Sequence, residues 1–332
     1  MLVLIPFLFP AARLLETAVQ DLHLPALQTL LARGTRQPCP AEGVEAALCE
    51  ALGIARQQDW PLAPITLAAD GGEAGGACWL RADPVHLQVM RDRIVLAGSD
   101  ALSLSREEAN ALADAVSRHF GDELSPQPLH PQRWYLEFHE APHLTTTPLS
   151  LAVGRDIDPL LPQGRDGLRF RTQLNEVQML LHNHPVNLAR EARGELPVNS
   201  LWLWGGGHRP VPRGIPVPLH ANDAEARALG AFCGARVHAP PSRFDASLLE
   251  SDGIVVLDAL THAGQAGDAY GWREALRELE QDWFSPLQGA LRRIGPQGLR
   301  LIDPVHGKAL HLQARDAWRW WRRPRSLVLM LS

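Results

Sequence analysis

Apolar positions along the chain fall into short runs typical of strands and longer stretches with helical spacing. The strand-like runs lie at residues 1–10, 134–139, 201–204, 234–238, 253–257, 299–302 and 327–331. Helical spacing covers residues 11–34, 41–54, 105–120, 168–183, 224–232 and 271–293. Because strands and helices alternate in the first and last parts of the chain, we predict an α/β fold with a largely parallel sheet and helices on both faces.

The middle of the chain predicts a smaller inserted domain. Gly-Gly and Asp-Gly pairs between Pro61 and Gly76 indicate a turn-rich crossing. Ser105 and Glu108 have the spacing of a capping box at the start of a central helix. We therefore predict a core domain of residues 1–70 and 168–332 and an inserted α+β domain of residues 71–167.

The segment 174–212 carries polar residues and glycines that packing alone does not require. The candidate ligand site consists of His184, Asn187, Arg190, Asn199, Gly205, Gly206 and Gly207. Amides and a guanidinium beside a glycine turn could bind phosphate or carboxylate oxygens without a metal. A structural role is the alternative, because Asn199 could satisfy backbone groups at a strand entrance and Arg190 could be a solvated helix residue.

Several stretches of the sequence resemble one enzyme family. The order HPVN, Arg190, Gly194, PVNSLW and a glycine turn resembles a segment of the archaeal-type cofactor-independent phosphoglycerate mutases, which belong to the alkaline phosphatase superfamily. The stretch SDGIVVLDALTHAG, from residue 251, is similar to their metal-binding strand and loop. Within the superfamily, WLRADPVHL and LWLWGGG together most resemble bacterial regulatory proteins of the RpfE type. The resemblance implies an alkaline phosphatase-like three-layer core with an inserted smaller domain.

The same resemblance implies that the catalytic residues are missing. The first strand of the active enzymes ends in an acidic metal ligand, whereas MLVLIPFLFP contains no carboxylate. The position of their Ser or Thr nucleophile falls on Val44, after Gly43. Gln265 stands where a His ligand is expected, and Asp303 is followed by Pro304 instead of His.

Two functions follow from this comparison. The first is a non-catalytic regulatory or binding protein that has no catalytic residue and needs no metal cofactor. The second is an active phosphoglycerate mutase or related phosphotransferase that holds two divalent ions, such as manganese, at a rebuilt site. Its weak candidate ligands are His262, Asp303 and His306, and Ser200 or Thr261 would replace the nucleophile.

Composition and charge narrow the choice of compartment. The 332 residues carry a formal charge of −5, which gives no general attraction to nucleic acid or anionic lipid. The four cysteines show no metal-binding spacing and fit a reducing compartment. The apolar N-terminus is interrupted by Pro6 and Pro10 and is too short to span a bilayer. We predict a cytoplasmic protein that does not enter a membrane.

Aromatic and basic residues interleave near the end of the chain. The cluster contains Trp318, Arg319, Trp320, Trp321, Arg322, Arg323 and Arg325. Such residues can contact an acidic protein, stack on nucleic-acid bases or pair with one another. In an acidic chain we prefer a protein partner to nucleic acid. A small phosphorylated or anionic metabolite is the other predicted partner.

Overall fold

The computed structural model describes residues 1–19, 21–98, 101–212 and 217–331. The strands are β1 (Leu2–Leu4), β2 (Thr35–Pro38), β3 (Cys78–Val85), β4 (Leu87–Val89), β5 (Ile94–Leu96), β6 (Gln127–His130), β7 (Arg133–Phe138), β8 (Ser200–His208), β9 (Pro218–His220), β10 (Arg236–His238), β11 (Ile254–Val256), β12 (Leu299–Asp303) and β13 (Lys308–Leu312).

The helices follow the same numbering along the chain. They are α1 (Ala12–Ala18), α2 (Pro25–Arg33), α3 (Gly43–Ala51), α4 (Leu62–Ala69), α5 (Arg106–Phe120), α6 (Leu149–Ala152), α7 (Gly167–His182), α8 (Pro185–Ala192), α9 (Ala224–Phe232), α10 (Thr261–Ala266), α11 (Ala269–Leu279), α12 (Ser285–Ala290) and α13 (Leu327–Leu331). No helix among the described residues is long and apolar enough to cross a membrane.

Two compact units make up the chain, and the first consists of Met1–Leu48 and Gly214–Ser332. Seven of its described strands form one sheet in the order β10-β9-β11-β1-β12-β13-β2. In this order, each adjacent pair of strands from β10 to β12 is parallel. Strand β13 is antiparallel to both β12 and β2. The prediction of an α/β fold with a largely parallel sheet is therefore confirmed. The central strands are apolar and buried, as expected for a sheet covered on both faces.

The second unit is Cys49–Arg213, and its sheet is antiparallel. The strand order is β6-β7-β3-β8, and β4 pairs with β5 as a separate ladder. Leu112 and Val116 of α5 share a buried core with Phe170 and Val177 of α7. The capping box predicted at Ser105 is present, because its hydroxyl accepts from the Glu108 N–H and the Glu108 carboxylate accepts from the Ser105 N–H.

The second unit extends beyond the predicted insert of residues 71–167 at both ends. Strand β8, which we predicted to join the core sheet, pairs instead with β3 along nearly its whole length. Helices α7 and α8 also belong to this unit. The prediction that the core resumes at residue 168 was therefore wrong for these elements, because β8 and α7 complete the core around Leu80 and Trp134.

The helix predicted across residues 11–34 is two helices. Pro25 occupies the first turn of α2, where a residue without an N–H fits. The carboxylate of Glu280 accepts from the backbone N–H groups of Ala26 and Leu27 at 2.6 and 2.9 Å, so a distant side chain caps α2. Glu280 begins a π-helical turn, Glu280–Phe284, which interrupts the helix predicted across residues 271–293.

The predicted last strand, residues 327–331, is helix α13. Its Leu327, Met330 and Leu331 are buried, whereas Leu329 is 64% exposed, which is the one-sided burial of a helix. A run of five apolar residues has no periodicity that separates helix from strand. The prediction of a strand was wrong for that reason.

Candidate functional site

The carboxyl ends of β1, β11 and β12 meet at one edge of the first unit's sheet. In an open parallel sheet this edge is where ligands and catalytic groups collect. The loop after β1 begins at Ile5, the turn after β12 contains Asp303 and His306, and α10 follows β11. The structure thus brings together Asp303, His306 and the loop after the first strand.

The Asp303 side chain is fully buried, and both of its carboxylate oxygens are occupied. One oxygen accepts from the N–H groups of Val305 and His306 at 3.0 and 3.2 Å. The other accepts from the N–H of Phe9 at 2.9 Å and lies 3.0 Å from His306 Nδ1. Asp303 therefore ties the loop after β1 to the turn after β12.

Phe7 lies in the loop after β1. Its ring packs edge-on against His306 with the centroids 5.4 Å apart. Its φ of 63° is unusual for a residue with a side chain. The carbonyl of Phe7 accepts from Trp272 Nε1 at 2.9 Å, which holds this backbone conformation.

Gly264 of α10 makes room for the Phe7 ring. A Cβ at residue 264 would lie 2.3 Å from Cγ of Phe7, so only glycine fits there. The ring is thus enclosed by Gly264 on one side and contacts His306 on another. An apolar side chain therefore packs beside His306 in the loop after β1.

Helix α3 begins beside the turn that contains Asp303. The N–H of Gly43 donates to the carbonyl of Pro304 at 3.0 Å, and the N–H of Cys39 donates to that of Gly307 at 2.9 Å. Val44, which the resemblance puts at the nucleophile position, is in the first turn of α3. Its side chain has no atom that can attack phosphorus.

The remaining candidate groups after β11 lie in α10. His262 is exposed, and the hydroxyl oxygen of Thr261 is buried, where a substrate could not reach it. Among the described residues, no group of three or more His, Cys, Asp and Glu side chains is placed to hold a metal ion. Asp303 and His306 form only a pair, and the Asp303 oxygens are already occupied. This donor set does not fit two divalent cations.

The candidate ligand residues of segment 174–212 all lie in the second unit and bind its backbone. Asn187 is buried; its amide donates to the carbonyls of Leu181 and Val198 and accepts from the N–H of Val198. Asn199 accepts from the N–H of Leu87 at 2.7 Å and donates to its carbonyl at 2.8 Å. Each amide thus joins two backbone segments.

The guanidinium of Arg190 is buried, and nearby carboxylates balance its positive charge. It donates to the carbonyls of Leu196 and Ser103, both at 2.8 Å, and to the carboxylate of Glu108 at 2.9 Å. Glu195 lies 3.4 Å away, and Arg193 binds the same two carboxylates. The groove of about 820 Å³ beside these residues therefore has balanced charges and gives an anion little net attraction.

His184 precedes α8 and caps it, since its Nδ1 accepts from the N–H of Val186 at 3.3 Å. Burial lowers the pKa of His184, and the positive charge of Arg118 lowers it further. The imidazole is therefore neutral at pH 7, as an acceptor at Nδ1 requires. Its geometry is that of a helix cap.

The three glycines lie within β8 and do not form the predicted turn. Gly205 has φ of 69° and, with Gly206, forms a bulge opposite β3, because Trp79 pairs with Gly207 and Arg81 with Trp204. Cβ atoms at residues 205 and 207 would lie 3.2 Å and 2.8 Å from the Cβ atoms of Leu62 and Pro61, respectively. The glycines allow β8 to approach the start of α4.

A buried ion pair in the second unit was missed at the sequence level. Arg81 and Asp83 are almost fully buried and make two parallel hydrogen bonds of 2.8 Å. Trp204 Nε1 donates to the same carboxylate at 2.7 Å, and the Arg81 guanidinium lies 4.9 Å from the Trp204 ring centroid. Arg81 and Asp83 are two positions apart in an apolar strand and therefore lie on the same face of the sheet. This spacing of opposite charges in WLRADPV could have predicted the ion pair.

Known phosphoglycerate mutases are similar in sequence to parts of the chain. Over 64 residues the chain is 42% identical to the 2,3-bisphosphoglycerate-independent phosphoglycerate mutase of Methanosarcina mazei, covering 19% of this chain and 16% of that protein. Over 150 residues it is 31% identical to a probable enzyme of the same name from Geobacter sulfurreducens, covering 44% and 38%. Over the matched residues the chain is similar in sequence to these mutases. It spans less than half the length of either one in these matches.

No family model matches the chain. Its structure is similar to that of the cofactor-independent phosphoglycerate mutase from Thermoplasma acidophilum, with a TM-score of 0.42 and 18% identity over 94% of this chain and 88% of that one.

Proposed function

We propose that the chain is a non-catalytic relative of the phosphoglycerate mutases. It is a pseudoenzyme of the RpfE type that acts as a regulatory or binding protein in the bacterial cytoplasm. The observation that carries the proposal is the environment of Asp303. Its two oxygens accept from the N–H groups of Phe9, Val305 and His306, and the ring of Phe7 packs against the paired imidazole. The residues at this edge support the fold and leave no open metal site.

The chemistry of the parent enzymes explains why these contacts matter. Phosphoryl transfer through a Ser or Thr requires an activated hydroxyl and charge stabilisation at the transferring group. Val44 supplies no hydroxyl, and the Asp303–His306 pair supplies one carboxylate already bound by backbone groups. An Asp–His pair can orient an imidazole as a base, but a base needs a nucleophile to activate.

The alternative is an active mutase or related phosphotransferase with a rebuilt site for two divalent ions. The paired Asp303 and His306 are the observation that favours it, since both lie at the catalytic edge of the sheet. Binding a metal there would require Asp303 to release the N–H groups that it now accepts from. Those groups would then be left without their present acceptor, at a cost of about 1–3 kcal/mol for each buried donor.

Metal content and mutase turnover test the proposal together. The purified protein, dialysed after incubation with Mn²⁺ or Co²⁺, is analysed for bound metal and assayed for interconversion of 2- and 3-phosphoglycerate, with an active mutase as positive control. We expect substoichiometric metal and no turnover above buffer. Two equivalents of metal together with turnover that is lost in Asp303→Asn would establish the alternative.

A small phosphorylated or anionic ligand stays a prediction for this protein. The polar atoms of Asn187, Arg190 and Asn199 are bound internally, so a ligand at the predicted site would have to displace Glu108 or Glu195 from Arg190. Thermal shift with 3-phosphoglycerate tests this directly. Stabilisation that is lost in Arg193→Ala, an exposed neighbour, would place an anion in this groove.

A further inference from the structure

A groove of about 650 Å³ opens on the first unit between α2 and the end of the chain. Its lining includes Leu31 and Ala32 of α2, Leu329 and Met330 of α13, and residues 321–325. Its volume is in the range of about 300–1,000 Å³ that is usual for ligand sites. The residues that line this groove differ from those at the carboxyl edge of the sheet.

Basic side chains dominate the polar lining of the groove. Arg36, Arg322, Arg323 and Arg325 line it, and its described lining includes no Asp or Glu. Arg36 donates to the carbonyl of Met330, and Arg322 lies 3.5 and 3.4 Å from the carbonyls of Arg33 and Gly34. Carbonyl acceptors orient these two guanidinium groups without cancelling their charge.

Arg323 and Arg325 are the two arginines best placed to meet a ligand. Both are exposed, and neither side chain has an ion pair with a described carboxylate. In contrast, Arg319 pairs with Asp316 at 2.8 Å and donates to the Arg33 carbonyl at 2.9 Å. The basic segment therefore divides into an inward arginine that holds the fold and outward arginines that face the groove.

The three tryptophans of this segment are all exposed, and they differ in whether they line the groove. The Trp318 ring lies 4.2 Å from the guanidinium carbon of Arg292 and is not among the groove residues. Trp321 lines the groove and is 61% exposed, and Leu329, which also lines it, is 64% exposed. Exposed large apolar side chains beside unpaired cations are typical of a contact surface for another molecule.

We propose that this groove binds a short acidic segment of a protein partner, in which carboxylates flank one large apolar side chain. The carboxylates would meet Arg323 and Arg325, for which guanidinium groups provide two-pronged hydrogen bonding. The apolar side chain would pack between Trp321 and Leu329. This inference concerns a different face from the catalytic edge and holds whether or not that edge is active.

The shape and charge of the groove favour an acidic peptide over nucleic acid. Trp321 is the one aromatic residue in its described lining, and its other large apolar residues are the aliphatic Leu31, Leu329 and Met330, whereas single-stranded nucleic acid uses a row of aromatic platforms along a basic track. The chain as a whole carries a charge of −5, which repels a long polyanion but affects a short segment only locally.

Fluorescence anisotropy with a defined set of probes tests the proposal. The probe is a labelled ten-residue peptide of Glu and Asp with one central Leu, measured at about 50 mM and 300 mM salt. Controls are the same peptide with Gln and Asn for the acids, the all-acidic peptide without Leu, and a ten-nucleotide oligothymidylate. We expect the acidic Leu peptide to bind at least about tenfold more tightly than each control, and more weakly at high salt.

Matched variants locate the binding. Arg323→Ala with Arg325→Ala should weaken binding of the acidic Leu peptide by about tenfold or more. Arg236→Ala with Arg243→Ala removes the same charge from exposed positions outside the groove and should leave the affinity within about twofold. Trp321→Ala should weaken it too, whereas Trp320→Ala, also exposed but outside the groove lining, should not.

Three results would overturn the proposal. The first is no measurable binding of the acidic Leu peptide by the folded wild-type protein. The second is equal weakening in the groove pair and in the matched pair, which would show a general charge effect. The third is oligothymidylate binding as tight as the peptide, which would assign the surface to nucleic acid. Unfolding temperatures of all variants confirm that each is folded, which is expected because the altered residues are exposed.

Discussion

Asp303 joins two segments that are 294 residues apart in sequence, since it accepts from the N–H of Phe9. Its other contacts, to the N–H groups of Val305 and His306, shape the turn after β12. A buried carboxylate with this many donors is a structural centre. A substitution that removes the charge and acceptor capacity of Asp303 should therefore reduce the stability of the fold.

We predict that Asp303→Asn destabilises the protein by about 1–3 kcal/mol, because the amide N–H₂ would face backbone donors that need an acceptor. Urea unfolding followed by circular dichroism measures the difference. Asp258→Asn, at an exposed position, is the matched control and should stay within about 0.5 kcal/mol of the wild type. Equal stability of all three proteins would contradict the role given to Asp303.

His184 should make stability depend on pH in a defined direction. Its folded-state pKa is lowered by burial and by Arg118, so protons bind more readily to the unfolded chain. The contribution of the neutral imidazole is fully present above about pH 6.5 and is lost as pH falls towards the folded-state pKa.

His184→Asn keeps a capping side chain but cannot titrate. Between pH 7.5 and 5.5, we expect the wild type to lose more unfolding free energy than this variant. Urea titrations of both proteins at several pH values give this difference. The effects of the other histidines cancel, because both proteins contain them. Parallel stability profiles of the two proteins would show that His184 does not titrate between these states.

The sequence allowed only part of the sheet edge to be predicted. Residue identity alone shows that residues 1–10 lack a carboxylate and that Val44 has no hydroxyl. The positive φ of Phe7 and the fit of its ring against Gly264 depend on contacts between segments more than 250 residues apart in the chain. No local pattern contains that information.

At the scale of elements, β8 shows how packing overrides a local signal. Three consecutive glycines usually indicate a turn. Here Gly205 and Gly206 form a bulge and Gly207 continues the strand, because helix α4 lies against this side of β8. The long periodic helix α5, with its capping box, was predicted well since its signals are local. The five apolar residues of α13 were too few to show a period.

We predict that Gly205→Ala destabilises the protein by about 1–3 kcal/mol. The left-handed conformation at φ of 69° is unfavourable for alanine, and its Cβ would lie 3.2 Å from that of Leu62. Gly76→Ala is the control, because a Cβ there meets no atom within 4 Å. Thermal and urea unfolding compare the two variants. A loss in Gly76→Ala as large as that in Gly205→Ala would refute the packing explanation.

At the scale of the whole molecule, the alternation of helices and strands was enough to predict the parallel sheet. The antiparallel strands β13 and β2 were missed, since TRQP is polar and KALHL is short. The limits of the second unit were also not readable from sequence. They depend on β8 pairing with β3, a contact between residues more than 100 positions apart in the chain.

The second unit should fold as an isolated fragment. Residues 49–213 contain the whole β6-β7-β3-β8 sheet and the core around Leu112, Trp134 and Phe170. We expect this fragment to unfold cooperatively in urea, with native-like circular dichroism. A fragment of residues 71–167, the predicted insert, lacks α4, nearly all of α7 and the whole of β8 and should show no cooperative transition. The reverse pattern would support the boundaries predicted from sequence.

The two outer strands of the large sheet have a consequence for solubility. In β2 all four residues are exposed, with Arg36 in the middle and Pro38, which has no N–H, at the end. The opposite outer strand, β10, is only three residues long and presents Arg236 and His238 to solvent. Short, cationic and proline-bearing borders repel the strand of another molecule. This sheet should therefore resist extension by strands of other molecules even when the protein is concentrated.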